Sequence, residues 1–131
     1  MDLNQVFGTD KTLEEEGVWI EMSDNTSIKI ARLNNPAFKQ AASKLSKKNK
    51  IVDNFSKVRD EALIKIVSDT ILLDWKNISD EGNDIKYNKD NAFKLLNKYH
   101  DFLDYVVEQS NDIENFRKIE IEEDKDTLKK S

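Results

Sequence analysis

The sequence predicts a mainly α protein with one N-terminal β-hairpin, an α+β fold built as a small bundle of four to five helices. Three observations carry that reading. Apolar residues recur at helical spacing through most of the chain from Pro36 onward. The stretch "EEEGVWIEMSDNTSIKIARLNNP" instead places two short apolar-bearing arms around a polar turn, followed at once by a helix-start signal. Finally, 37% of the 131 residues are hydrophobic and 36% are charged, which implies a narrow core inside a heavily solvated surface. A chain of this length buries roughly two-thirds of its unfolded surface around one core, so residues 1–131 are expected to form a single domain.

Within it, residues 1–16 form an acidic segment, 17–33 the hairpin, 35–119 the helical core and 120–131 an acidic tail. In the hairpin, Gly17 to Met22 and Ser27 to Arg32 are the arms. Asp24 and Asn25 tolerate positive φ and suit a two-residue turn. That turn sets Glu21 opposite Ile28 and Trp19 opposite Ile30 on one face, leaving Val18, Ile20 and Met22 with Lys29 and Ala31 on the other. Both faces are therefore partly apolar. A two-stranded ribbon is marginal alone in water, so it must lie on the helices or offer its edges to something else.

Asn35 and Pro36 are an N-cap and first-turn pair. The helix they open carries Phe38, Ala41, Ala42 and Leu45 on one stripe and ends near "SKKNK". A second helix is expected from about Asn54 to Trp75. Its C-terminal half, with Ile64, Ile66, Val67, Ile71, Leu72, Leu73 and Trp75, is apolar nearly all round, as a central buried helix would be. "KNISDEGNDIKYN" reads as a loop around Gly82. Asn88 or Asp90 then caps a helix with the stripe Ala92, Phe93, Leu95, Leu96 and Tyr99. A further segment carries Phe102, Leu103, Tyr105, Val106 and Val107, and a last one Ile113, Phe116 and Ile119.

The composition excludes much chemistry. There is no cysteine, hence no disulfide, no thiolate nucleophile and no zinc–cysteine site, which suits a reducing compartment. Three glycines, far apart, make no Gly-rich phosphate loop. A single histidine cannot build a multi-histidine metal centre within one chain. His100 with Asp104, at i and i+4, reads as a surface pair. Asp101, Asp104 and Glu108 read as a solvated helix face, because no calcium-type ligand loop accompanies them. The sequence thus points to no enzyme, with no catalytic, cofactor-binding or metal-ligating residues and no cofactor. The opening "MDLNQVFGTDK" lacks the basic and apolar regions of a secretory signal, and no apolar run approaches the ~20 residues of a membrane span. A cytoplasmic protein without membrane contact is the expectation.

The net charge of −5 conceals a segregation. Residues 1–24 hold seven Asp/Glu against one Lys, whereas Phe38 to Arg59 hold seven Lys/Arg against Asp53 alone. Each run can be a solvated face, or the basic segment of one molecule can meet the acidic segment of another. The lysine stretch could also contact phosphates. It lacks a recognisable nucleic-acid-reading helix, however, and the isoelectric point near 5.0 argues against a nucleic-acid partner. The candidate partner-binding residues are therefore Trp19, Ile28 and Ile30 on the hairpin and Lys44, Lys47 and Lys48 on the basic helix.

Four stretches, "VFGTDKTLEEEGVWIEM", "ARLNNPAFKQAA", "ILLDWKNI" and "NAFKLLNKYHDFLDYVVEQSNDIENFR", together with the acidic end, resemble the tail assembly chaperones of tailed bacteriophages and prophages. The resemblance runs from about Val6 to Asp124. It implies a non-enzymatic protein of the host bacterial cytoplasm that binds and solubilises the tape measure protein and helps recruit the major tail protein. Such a protein is absent from the finished virion, and a second copy of the chain is a further candidate partner. The alternative reading is a phage-encoded acidic interaction protein that inhibits or regulates a host factor through its acidic ends.

Overall fold

A three-stranded antiparallel sheet with helices packed on one face organises the molecule. The computed structural model describes residues 1–49 and 61–117. At the N-terminus, two short helices occupy the expected acidic segment. α1 (Leu3–Phe7) is capped by Asp2, whose carboxylate accepts from Asn4 N–H at 3.0 Å. α2 (Lys11–Glu16) is capped by Asp10, which accepts from Thr12 N–H at 2.8 Å. Gly17, at φ 96°, joins α2 to the sheet; a Cβ there would come within 2.9 Å of the Leu73 side chain, so the residue serves both the turn and the close approach.

β1 (Val18–Ser23) and β2 (Thr26–Ile30) form the expected hairpin around Asp24 and Asn25, with Asn25 at φ 67°. Their register differs from the expected one. Ser23 pairs with Thr26, but an irregularity between Glu21 and Ser23 shifts the remaining pairs to Glu21–Ser27, Ile20–Ile28, Trp19–Lys29 and Val18–Ile30. One extra residue in one arm moves every later side chain to the other face. Ile28 and Ile30 consequently share a face with Val18 and Ile20, and Trp19 stands on the opposite face with Lys29.

The expected long helix is also corrected. Its described part is α4 (Glu61–Thr70), which buries Leu63, Ile64, Ile66, Val67 and Ser68. The chain then enters a strand, β3 (Leu72–Lys76). β3 pairs with β2 through Ser27–Lys76, Ile28–Trp75, Lys29–Asp74 and Ile30–Leu72, so the hairpin is the outer two-thirds of a sheet ordered β1-β2-β3. A continuous apolar run fits a buried strand as well as a buried helix. Here the exposed inner edge of the hairpin decides, because Leu72 and Trp75 can extend its apolar face and satisfy its backbone at once.

α3 (Pro36–Asn49) begins as expected. Asn35 accepts from Phe38 N–H at 3.0 Å, and its amide donates to the carbonyls of Arg32 at 2.8 Å and Thr70 at 3.0 Å. This buried side chain thereby ties the start of α3 to the end of α4 while leaving none of its polar atoms unpaired. The expected loop contains its own small ribbon, β4 (Ser79–Asp80) with β5 (Asn83–Asp84), turned at Glu81 and Gly82, both at positive φ. Trp75 Nε1–H donates to the Ile85 carbonyl at 2.8 Å, and Tyr87 O–H donates to the Leu72 carbonyl at 2.7 Å, with the two rings meeting edge to face at 5.1 Å. These contacts fold the segment back over the end of β3.

Asn88 caps α5 (Lys89–Lys98), and Tyr99 separates it from α6 (His100–Ser110). A final 3₁₀ turn, Ile113–Phe116, buries Phe116 completely. α4 packs against α3, α5 and β3, and α6 reaches β2. The core thus runs from Ile28, Ile30, Leu72 and Trp75 on the inner sheet face to Ile64 and Val67 of α4, Leu96 of α5 and Leu103 and Val106 of α6. The fold is a mixed α+β domain, as the sequence predicts. The expected start of the second helix near Asn54, the stripe residue Ile119 and the acidic tail from 120 lie outside the described residues.

Candidate protein-binding surface

Two exposed apolar regions stand on the N-terminal quarter of the chain. On α1, Leu3, Val6 and Phe7 fall at i, i+3 and i+4 and so lie along one side of the helix. Leu3 is 64% exposed and Phe7 61%, and Met1 precedes them in the open. A five-residue helix does not hold itself in water. α1 is secured from the other end of the chain: the Arg117 guanidinium donates to the carbonyls of Gln5 and Val6, the latter at 3.3 Å, while the same residue pairs with Glu114 at 3.1 Å. Asp10 N–H also donates to the Phe116 carbonyl at 2.9 Å. Nothing in the sequence marks Arg117 as a partner for residues more than a hundred positions away.

The second region is β1. Trp19 is 41% exposed on the outer sheet face, with Lys76 Nζ 4.4 Å and Lys29 Nζ 6.0 Å from its ring centroid. An ammonium over an indole face is held electrostatically even in partial exposure. Met22 is also exposed, at the bulged end of the strand.

The other expected contact residues separate from Trp19. Ile28 and Ile30 have no exposed surface and belong to the core, so neither can meet a partner in the folded chain. This is the direct consequence of the register shift. Lys44 is exposed on α3. Lys47 and Lys48 fall in the last turns of α3, and their side chains lie outside those described.

The hairpin's exit is fixed by a pair that sequence reading missed. Arg32 Nη1–H donates to Glu14 Oε2 at 2.6 Å, Thr9 O–H donates to the same oxygen at 2.9 Å, and Arg32 N–H donates to the Glu14 carbonyl at 2.8 Å. Burial is the largest single influence on the Glu14 carboxyl and raises it. The hydrogen bonds from Arg32 and Thr9, with the charges of Arg32 and Lys11, together outweigh burial and hold it below the ordinary value of 4.5. A lowered folded value means that the unfolded chain binds more protons as the pH falls. The stabilisation is therefore complete above about 4.5 and is lost as the pH drops through the lower folded value. Glu14→Gln is expected to lower the urea midpoint near neutral pH and to flatten this part of the acid loss. An unchanged acid profile would show that the pair contributes nothing to stability.

A similar cluster holds the small ribbon to α5. Lys98 Nζ–H donates to Asp80 Oδ2 at 2.8 Å and Tyr99 O–H donates to Asp80 Oδ1. The Lys98 contact, followed by that of Tyr99, keeps the Asp80 carboxyl below its usual range, and the hydrogen bond to Asp80 in turn raises the Lys98 ammonium. Among the described residues no three His, Asp or Glu side chains are placed to hold a metal ion, and no helix is long and apolar enough to cross a membrane.

The fold and this surface define a small, highly charged α+β protein that leaves an N-terminal helix face exposed and an edge strand with a strand partner on one side only among the described residues. Residues 22–130 match the family described as YdaY prophage protein, most of the chain, and the protein belongs to that family. The match bears out the bacteriophage side of the resemblance. Neither the curated proteins nor the solved structures give a match. α1, α2 and β1 up to Glu21 precede the matched segment.

Proposed function

We propose that this prophage protein is a tail assembly chaperone that binds the tape measure protein, keeps it soluble and helps recruit the major tail protein in the host cytoplasm. The observation that carries the reading is the exposed apolar face of α1, with Leu3, Val6 and Phe7 in the open. Apolar side chains gathered on one face are suited to covering apolar stretches of a client. The 36% of charged residues would keep the loaded complex in solution. Such a role is non-enzymatic and needs no cofactor.

Co-expression with the tape measure protein of the same prophage tests it. The soluble fraction of the tape measure protein should rise severalfold with the wild-type chain. It should fall back to the level without a chaperone for Leu3→Ser combined with Phe7→Ser, provided that this variant itself remains folded by circular dichroism. A tape measure protein equally insoluble with and without the wild-type chain would sink the proposal.

A further inference from the structure

We infer that β1 is a homodimer interface: two copies join their sheets by pairing β1 with β1 antiparallel about a two-fold axis at Ile20. This goes beyond the client-binding proposal and does not depend on it. β1 lies at the edge of the sheet, and among the described residues β2 is its one strand partner; the 3₁₀ turn Ile113–Phe116 packs near it without joining the sheet. Natural edge strands are usually shielded by lysine, proline, a bulge or a covering element. β1, "VWIEMS", has neither lysine nor proline, and its irregularity falls only at its far end, between Glu21 and Ser23.

The charges on the outer face select a second copy as the occupant. The registers define two rows across the sheet, Asp74–Lys29–Trp19 and Lys76–Ser27–Glu21. A two-fold axis at Ile20 sets Trp19 directly opposite Glu21 of the partner subunit, and the converse contact is generated by the symmetry. Trp19 already carries Lys76 Nζ at 4.4 Å and Lys29 Nζ at 6.0 Å, so the incoming carboxylate enters a locally positive setting. Glu21 is exposed and makes no ion pair among the described residues of its own chain. The joined row then reads Asp74, Lys29, Trp19, followed by Glu21, Ser27 and Lys76 contributed from the other side. On the inner face, the half-buried Ile20 meets its own symmetry mate and loses its remaining contact with water. Cross-strand pairs of these kinds are what stabilise an antiparallel sheet.

Sedimentation equilibrium of the full chain should show a concentration-dependent rise from 15.2 kDa towards twice that mass. Glu21→Lys, which sets a third cation beside Trp19, should hold the protein at the monomer mass with an unchanged circular dichroism spectrum. Adding Lys29→Glu and Lys76→Glu to it should restore the dimer. Because the chain has no cysteine, Ile20→Cys should cross-link under mild oxidation, whereas Met22→Cys, displaced from the axis, should not. A wild-type chain that stays monomeric at all concentrations overturns the inference, including the case in which β1 pairs with a different protein. A dimer that survives Glu21→Lys, or that cross-links better through position 22 than through position 20, overturns it as well.

Discussion

Phe116→Ala should lower the free energy of unfolding by about 3–5 kcal/mol, the range for emptying a buried aromatic site. The side chain is fully enclosed, although it belongs to a short 3₁₀ turn near the end of the described residues. The Arg32 guanidinium lies 5.8 Å from its ring centroid, its carbonyl accepts from Asp10 N–H, and the next residue, Arg117, holds the carbonyls of α1. One ring therefore closes the core and sets the anchor for the N-terminal helices. Urea unfolding of wild type and variant measures the loss. A change below about 1 kcal/mol, the level of an ordinary surface substitution or little more, would show that the turn opens readily and that Phe116 does not close the core.

Ile30→Ser should cost at least the roughly 2–5 kcal/mol of an isoleucine truncation, with a further penalty for the buried hydroxyl. Ile30 lies between Val18 and Leu72 in the middle of the sheet and has no exposure. Trp19→Ser should cost clearly less than Ile30→Ser, because Trp19 lies on the outer face and is 41% exposed, with its lysine contacts among those lost. The contrast tests the register itself. In the register expected from the turn alone the two residues would face each other and fall together. Equal unfolding midpoints for the two variants would bring that register back.

Features written in adjacent residues were legible in the sequence. Asn35 and Asn88 cap their helices, Asp24 and Asn25 turn the hairpin, and the stripes containing Ala92, Leu95, Leu96, Leu103, Val106 and Phe116 all reach the core. The candidate surface was read less well. Of the hairpin residues offered for partner contact, Trp19 is exposed, whereas Ile28 and Ile30 are buried. The apolar face of α1 is not legible in the sequence, because residues 1–16 read as an acidic segment and nothing local signals a helix of five residues.

What the sequence by itself determined is the α+β class, the caps, the turn and most of the apolar positions that fill the core, since each depends on side-chain chemistry within a few residues of backbone. Only the tertiary structure decided that Leu72–Lys76 is a strand, that a shift beside Met22 turns Ile28 and Ile30 inward, and that Arg32 meets Glu14 and Arg117 meets α1. These are choices among partners distant in the chain. An apolar run can pack as a helix or a strand, and a strand can shift by one residue without altering its composition. The outcome is set by which arrangement buries the whole apolar set and pairs the backbone at the same time.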